Sequence, residues 1–245
     1  MILKIKYTPF LLIALFLILQ NSSFSQKVIQ QNYRKFDDKL IHFGFLLGGN
    51  TADFQLTPVS NAYEKYNVLA IESVKTAGGQ LGIVSTLKLG TPLLRLRVLP
   101  SLSFQERVIK YYYPPENPED KKEVYEEERI NSTNLDFPIM LQFRTARFNN
   151  FATYVLGGAQ FTYDLQSTET KNQNFVDPFV KIKAKDWQGQ VGVGVEFFAV
   201  YFKLGLEVKY SQGFQNTFIQ DQTPVSNPID QLKNKIWSFS IIFEG

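Results

Sequence analysis

Residues 186–197 read DWQGQVGVGVEF, and their pattern is the clearest indication of the fold. Its odd positions are apolar from Trp187 to Phe197, with Gly189 as the one small exception, whereas its even positions carry Asp, Gln, Gly and Glu. Successive side chains of a β-strand point to opposite faces of the sheet. A period of two therefore predicts a strand with one apolar and one polar face, and helical spacing fits the stretch less well.

The same alternation recurs along the chain, so that eight segments in all have it. The seven others are residues 40–50, 79–89, 94–107, 135–144, 153–164, 202–211 and 235–244. Soluble strands are most often about five or six residues long, whereas about ten residues cross a bilayer when the strand is tilted. Because open sheet edges are not tolerated in lipid, such strands must close on themselves. The sequence predicts an all-β fold, namely an eight-stranded antiparallel transmembrane β-barrel with up-and-down topology and a side-chain-filled lumen.

The connections between these segments alternate in length. Three are short (90–93, 145–151 and 198–201), and four are long (51–78, 108–134, 165–185 and 212–234). Short periplasmic turns and long external loops are typical of outer-membrane barrels. This asymmetry predicts that both termini of the barrel lie in the periplasm.

A soluble lipocalin-type barrel, with its apolar face turned inward, is the alternative. Alternation alone does not say which face is inside. The apolar face is bulky at nearly every position, and the other face carries Gly, Ser, Gln and charges of both signs. Aromatic residues also fall near the two expected membrane boundaries, with Trp187 and Trp237 at one and Phe151, Phe202 and Phe243 at the other. These features favour lipid on the outside.

The N-terminus has the layout of a secretory signal. Lys4 and Lys6 precede an unbroken apolar run at 10–19, and small residues follow at Ser23 and Ser25. A membrane anchor is the alternative, but a spanning helix needs roughly 20 residues, and the three-part pattern predicts cleavage near Ser25. The predicted organisation is a signal peptide at 1–25, a periplasmic N-terminal segment at 26–39 and an outer-membrane barrel domain at 40–245.

Composition narrows the chemistry of the chain. Its 245 residues include 26 Lys+Arg, 23 Asp+Glu and no Cys, with a formal charge of +3 that falls to +3 − 2 = +1 without Lys4 and Lys6. The absence of Cys excludes disulfides and thiolate chemistry, and a single histidine, His42, excludes multi-histidine metal sites. The charge is too small to indicate nucleic acid. We predict no catalytic residue, cofactor, metal site or small-molecule substrate, and no enzyme activity.

Charged residues on the polar face are predicted to fill the lumen. A buried charge must be paired, so a salt-bridge plug that fixes barrel packing is our interpretation, with a proton or ion relay as the alternative. His42 is predicted to face the lumen as a hydrogen-bonded interior residue. The predicted interior polar network consists of Arg95, Arg97, Asp136, Arg144, Asp186, Glu196, Lys203, Glu207 and Lys209, with Lys88 and Glu244 at its margins.

Two regions are candidates for contact with a partner protein. The long connection 108–134 contains three consecutive tyrosines and many charges, which is typical of a solvated loop, but loops on rigid scaffolds also carry function. Segment 26–39 is the second region. The candidate contact residues are Tyr33, Phe36 and Asp37 in that segment, and Tyr111, Tyr112, Tyr113, Glu126, Glu127 and Glu128 in the connection.

Several runs of sequence resemble one known family. They are FDDKLIHFGFLLG at 36–48, LRLRVLPSLSFQER at 94–107, LDFP at 135–138, NNFATYVLGG at 149–158, YDL at 163–165, KYSQG at 209–213 and SIIFE at 240–244. Together they resemble PorT family barrels in order along almost the whole mature chain. The pair Gly48-Gly49 departs from the pattern, which has an apolar residue before Asn50.

The resemblance implies an integral outer-membrane protein that is needed for type IX protein secretion and, in some bacteria, for gliding. Its expected role is non-enzymatic, and its expected partners are membrane lipid and other proteins of the secretion machinery. Three other hypotheses remain open at this point: a structural or adhesion barrel with no secretion role, a small-molecule channel, and a barrel enzyme that uses His42.

Overall fold

The computed structural model describes residues 31–33, 36–115, 124–173 and 178–245. The chain divides into two units after Gln30, and all that follows concerns the second unit. The predicted signal peptide therefore lies outside the described residues, as does the first part of the N-terminal segment. Within the described ranges, no helix is both long enough and apolar enough to cross a membrane.

The described chain consists of strands and one short helix. They are β1 (Ile41–Pro58), α1 (Ala62–Lys65), β2 (Ala70–Lys88), β3 (Leu94–Val98), β4 (Ser101–Tyr113), β5 (Val124–Arg144), β6 (Phe151–Asp164), β7 (Lys181–Ile182), β8 (Lys185–Phe198), β9 (Lys203–Gly213), β10 (Phe218–Ile219) and β11 (Ile229–Glu244).

The long strands form a closed antiparallel ring. Its order is β1, β11, β9, β8, β6, β5, then β3 with β4, then β2, and β2 pairs again with β1. Strands β3 and β4 act as one spanning strand that is interrupted at Leu99 and Pro100, because proline cannot donate to the ladder. Both parts pair with β2 on one side and β5 on the other. The prediction of an eight-stranded antiparallel barrel is confirmed.

The strands are longer than the predicted ten residues. Strand β5 has 21 residues, and its ladder with β4 continues to the pair Tyr113↔Val124. Most of the predicted loops 51–78 and 108–134 is therefore strand, which corrects the prediction of irregular external loops there. The reason is physical: beyond the membrane the outward side chains become polar, so the hydropathy alternation ends while the backbone ladder continues.

The outer wall is apolar, and the lumen is polar. Outward side chains such as Phe43 and Ile139 are 64% and 56% exposed, whereas the inward Arg97 is 1% exposed. Trp187 and Trp237 border this apolar wall at one end, and Phe243 borders it at the other. The arrangement is that of a barrel with lipid outside and side chains inside.

The two ends of the barrel differ. We call the end where β1 begins and β11 finishes the terminal end, and the opposite end the distal end. A buried apolar cluster, the distal core, fills the inside of the long strands beyond the apolar wall. It contains Phe54, Val68, Ile71, Ile109, Tyr111, Ile130, Val180, Ile182, Phe218, Ile229 and Leu232.

Candidate functional site in the lumen and at its ends

A continuous chain of ion pairs fills the terminal half of the lumen. We call its nine members the lumen network. In order along the chain of contacts they are Arg95, Asp37, Arg144, Glu196, Lys203, Glu244, Arg97, Glu207 and Lys209. Acid and base alternate, and five bases against four acids leave a net charge of +1. Such alternation compensates charges that water no longer solvates.

Arg97 lies at the centre of the lumen network. Its guanidinium is 2.8 Å from the Glu207 carboxylate and 3.5 Å from that of Glu244. The Tyr154 hydroxyl donates a hydrogen bond of 2.7 Å to Glu207, and the Thr86 hydroxyl donates one of 2.6 Å to Glu244. These neutral donors add a hydrogen bond to each carboxylate, so each acid is held by both charge and hydrogen bonding.

A glycine in β8 makes room for this arrangement. A Cβ atom built on Gly194 would collide with the ring of Tyr154. The ring reaches across from β6 to bring its hydroxyl to Glu207, and it also lies 5.5 Å from the Arg97 guanidinium. Any side chain at position 194 would therefore displace the tyrosine from the lumen network.

The middle of the lumen is held by neutral hydrogen-bond donors. Asp136 accepts hydrogen bonds from Ser103, Gln160 and Thr162 at 2.7–2.8 Å, and Asp186 accepts from Asn234 and Gln188 at 2.7 and 3.1 Å. Within the described ranges, neither carboxylate lies at ion-pair distance from a Lys or Arg. The structure thus places both residues in the lumen, but outside the ion pairs of the predicted plug.

Sequence reasoning missed a buried cation, Arg107. It is 2% exposed, stacks 5.1 Å above the Phe54 ring and donates a hydrogen bond of 3.0 Å to Ser132. It stands at the last position of its alternating segment 94–107 and shares the odd parity of the inward Ser103 and Gln105, which was the signal that could have placed it in the lumen. Its place is the boundary between the polar middle of the lumen and the distal core.

Phe36 and Asp37, in the described part of the N-terminal segment, pack into the terminal end. Phe36 is fully buried, with its ring stacked 3.7 Å from the His42 ring and packed edge-on against Phe198. The neighbouring Asp37 carboxylate lies 2.9 Å from Arg95 and 2.7 Å from Arg144. The sequence analysis named Phe36 and Asp37 as contact residues only because they lie in the predicted periplasmic segment. No period-two pattern covers this segment, so none placed Asp37 in the lumen.

His42 faces the lumen, as its parity in β1 predicts, and it is 1% exposed. The contact that the structure shows for it is stacking on Phe36, and its Nδ1 has no hydrogen-bond partner among the described residues. The predicted role as a hydrogen-bonded interior residue therefore becomes that of a ring that supports Phe36.

The predicted partner-contact residues divide by burial. Phe36 and Tyr111 are 0% and 1% exposed and present no surface to a partner in this conformation. Tyr33, Asp37, Tyr112, Tyr113 and Glu128 are partly buried, whereas Glu126 and Glu127 are exposed. Contact through these seven residues stays a prediction.

Tyr111 belongs to the distal core. Its hydroxyl donates a hydrogen bond of 2.6 Å to the main-chain carbonyl of Val225, on the segment that leads to β11. Burial raises the pKa of this phenol well above its ordinary value, because the phenolate would lose its solvation. The group stabilises the distal core only while it keeps its proton.

Alkaline pH should therefore loosen the distal core. In the unfolded chain Tyr111 ionises near its ordinary pKa of about 10, whereas in the folded chain it stays neutral. Its contribution is complete below that pH and decreases as the pH rises above it. Near-ultraviolet circular dichroism against pH measures this loss. In Tyr111→Phe the slope above pH 10 should flatten, and an unchanged slope would assign the effect to another group.

The outward face of the β4–β5 hairpin carries a ladder of charges. The Glu127 carboxylate lies 2.9 Å from Lys110 and 3.0 Å from Arg129, and Arg129 also lies 3.3 Å from Glu106. Hydrogen bonds from Lys110 and then Arg129 lower the pKa of Glu127. Because the side chains are solvated, such pairs contribute little to stability, and their importance lies in keeping this face polar.

No group of three or more His, Asp or Glu side chains among the described residues is placed to hold a metal ion. The carboxylates of the lumen network are engaged with bases, and those of Asp136 and Asp186 with neutral donors.

Comparison with known proteins agrees with this architecture. The model of one family, described as an outer membrane protein beta-barrel domain, matches residues 24–219. The chain belongs to this family. As a member of it, the protein is an integral outer-membrane barrel that resides in membrane lipid. No curated protein matches the sequence.

Two solved structures are similar to this outer-membrane barrel. The outer membrane protein OprG from Pseudomonas aeruginosa shares 14% identity over 84% of this chain and 93% of its own, with a TM-score of 0.45. Neisserial surface protein A shares 10% identity over 82% of this chain and 95% of its own, with a TM-score of 0.40.

Proposed function

We propose that this barrel is a non-enzymatic accessory component of type IX protein secretion. It acts by contact with other proteins of the machinery, with its terminal end in the periplasm and its distal end outside the cell, after cleavage of a signal peptide near Ser25. The resemblance to PorT family barrels supports the secretion role. A second candidate is a structural or adhesion barrel of the outer membrane. The outward face of the β4–β5 hairpin would suit such a role, because it is polar and its charged side chains are paired.

The observation that carries the non-enzymatic, non-conducting part of the proposal is the filled lumen. Ion pairs occupy the terminal half of the lumen, and neutral hydrogen bonds occupy its middle. The distal core fills the distal end. An eight-stranded ring encloses only enough space for side chains. A protein with this interior is suited to work through its surfaces rather than by passing solutes.

The closed lumen has a direct electrical consequence. In planar lipid bilayers we expect the purified barrel to give no stable single-channel current, because charged side chains from several strands cross the path of an ion. Stepwise, lasting conductance in the wild-type protein would contradict the non-conducting role and favour the channel hypothesis.

Cargo export tests the secretion role itself. In a host with type IX secretion, deletion of the gene should abolish surface delivery of a reporter carrying a sorting domain. Complementation by wild type should restore it. His42→Ala should restore more export than Arg97→Glu, at matched levels of heat-modifiable barrel. Normal export in the deletion strain would support the structural or adhesion role instead.

A further inference from the structure

Residues 36–39 are held at the terminal end by side chains and not by a strand ladder. Within the described residues 31–33 and 36–39, the one hydrogen bond between two main-chain groups is local, from the Phe36 amide to the Tyr33 carbonyl at 3.0 Å. The pairing of β1 with β2 begins at Ile41↔Leu87. This part of the chain can therefore leave the barrel end without opening the sheet.

The Phe36 ring fills a pocket of aromatic and cationic groups. Its centroid lies 3.7 Å from that of His42 and 5.6 Å from that of Phe198. The Lys203 ammonium lies over the ring at 4.7 Å from its centroid, and the Arg95 guanidinium lies 5.4 Å from the centroid. Cations over a ring face are attracted by its π electrons, so this pocket favours an aromatic side chain over an aliphatic one.

The Asp37 carboxylate lies in a site made by two buried guanidiniums. One oxygen, Oδ1, is 2.9 Å from Nη2 of Arg95 and 2.7 Å from Nη1 of Arg144, and both arginine side chains are 1% exposed. Within the described part of the chain, Nη2 of Arg144 and Nε of Arg95 are buried without a hydrogen-bond partner. Because a guanidinium can bind both oxygens of a carboxylate, the site has donors that Asp37 leaves unused.

The balance of charge at this end requires an anion in the position of Asp37. Without it the lumen network has five bases against three acids, a net charge of +2. Lys88 and Arg147 add two cations, which bind main-chain carbonyls of residues 32, 37 and 38. Asp38 and Lys39 are exposed and opposite in sign. No Asp or Glu precedes Asp37 in the sequence, so the earlier chain cannot supply another carboxylate. Since an uncompensated buried charge is costly, a second anion must replace Asp37 when it leaves.

We propose that the terminal end is a binding site for an aromatic ring followed by a carboxylate, which Phe36 and Asp37 occupy within the chain and which a partner protein can occupy in their place. The partner contributes an extended segment in which an aromatic residue is followed directly by Asp or Glu. On a short connection the chain's own ligand has an effective concentration of about millimolar, so it masks the site until a segment that binds more tightly competes. The inference goes beyond the secretion role and does not depend on it.

The first experiment empties the site. The double variant Phe36→Ala/Asp37→Ala is purified in detergent micelles, and its heat-modifiable gel band identifies the folded barrel. Binding of a labelled, amidated peptide of sequence GFDG is followed by fluorescence anisotropy. We expect the double variant to bind this peptide about tenfold or more tightly than the wild type, in which the chain's own segment competes. Equal affinity in both proteins, or binding to neither, would overturn the proposal.

Two altered peptides test the ring and the carboxylate separately. The peptide GFNG keeps the ring and loses the charge, whereas GADG keeps the charge and loses the ring. Each should bind the double variant about tenfold more weakly than GFDG, which is the size of one lost charge-assisted hydrogen bond. Tyr33→Ala keeps Phe36 and Asp37 and should bind GFDG no better than the wild type does. Equal affinities of GFDG and GFNG would contradict recognition of a carboxylate.

Rescue by acetate gives a readout that needs no peptide and removes one side chain only. Asp37→Ala leaves Arg95 and Arg144 without their shared carboxylate, and an acetate ion can take its place. Replacing chloride by acetate, at equal ionic strength and neutral pH, should raise the apparent Tm of Asp37→Ala and leave that of the wild type unchanged. Equal shifts in the two proteins would be an effect of the salt alone and would refute the site.

Discussion

Replacing Arg97 by methionine should lower the unfolding free energy of the barrel by about 3–5 kcal/mol, the usual cost of removing one partner from a buried ion pair. Arg97 is 1% exposed and lies between Glu207 and Glu244. Without it, the two carboxylates stay buried with only Lys209 and Lys203 to compensate them. A urea titration of the barrel in detergent, followed by its heat-modifiable gel band, measures the loss.

Two controls separate charge from packing. The double variant Arg97→Met/Glu207→Gln removes a charge of each sign and should recover much of the lost stability. Among the described residues, the Lys88 ammonium donates hydrogen bonds to the main-chain carbonyls of Asp37 and Asp38 at the terminal end. Lys88→Met should therefore change stability by less than about 1 kcal/mol. If Arg97→Met and Lys88→Met lowered the unfolding free energy by the same amount, the lumen network would not be a stabilising element.

Phe36→Ala is expected to release the N-terminal segment from the terminal end. Phe36 is fully buried, and truncating a buried phenylalanine costs about 3–5 kcal/mol. The ring also supports His42 and lies 4.7 Å from the Lys203 ammonium and 5.4 Å from the Arg95 guanidinium. Limited proteolysis of the segment, with the barrel itself intact on a gel, would report the release.

Tyr33→Ala is the matched comparison for Phe36→Ala. Tyr33 packs against Phe36 at 5.3 Å but is only partly buried, so its truncation should leave the segment docked. The protease sensitivity of Asp37→Asn should lie between those of Tyr33→Ala and Phe36→Ala. Asp37 bridges Arg95 and Arg144, but its side chain is 25% exposed. Equal protease sensitivity in the wild type and Phe36→Ala would show that the ring does not hold the segment.

The sequence predicted the part of the fold that the bilayer dictates. Lipid imposes an apolar outer face at every second residue, so residues 186–197 reveal their strand, its orientation and the inward position of Glu196. The same parity placed Arg97 and Lys203 inside the lumen. Their pairing could also be expected, because unpaired charges are costly there.

The remaining features come from contacts that no local pattern records. Asp37 reaches the lumen network because segment 36–39 folds back into the terminal end. The sequence does not distinguish an acidic residue that is solvated before a strand from one that is packed into the barrel. Tyr111 lies beyond the apolar wall, where the strand continues but the lipid does not constrain its outer face. The length of β5 was missed for the same reason.

The distal core also bears on how the barrel is inserted. In the proposed topology, with the distal end outside the cell, each long hairpin carries its polar distal part through the bilayer, and residues 124–129, with three carboxylates, belong to one such part. The distal core forms only from residues beyond the apolar wall, so it can assemble only after the hairpins have crossed. Once Leu232 and Ile109 are packed there, backward slippage of a strand would require that core to unfold. In that topology the packed distal core would oppose backward slippage of the hairpins after insertion.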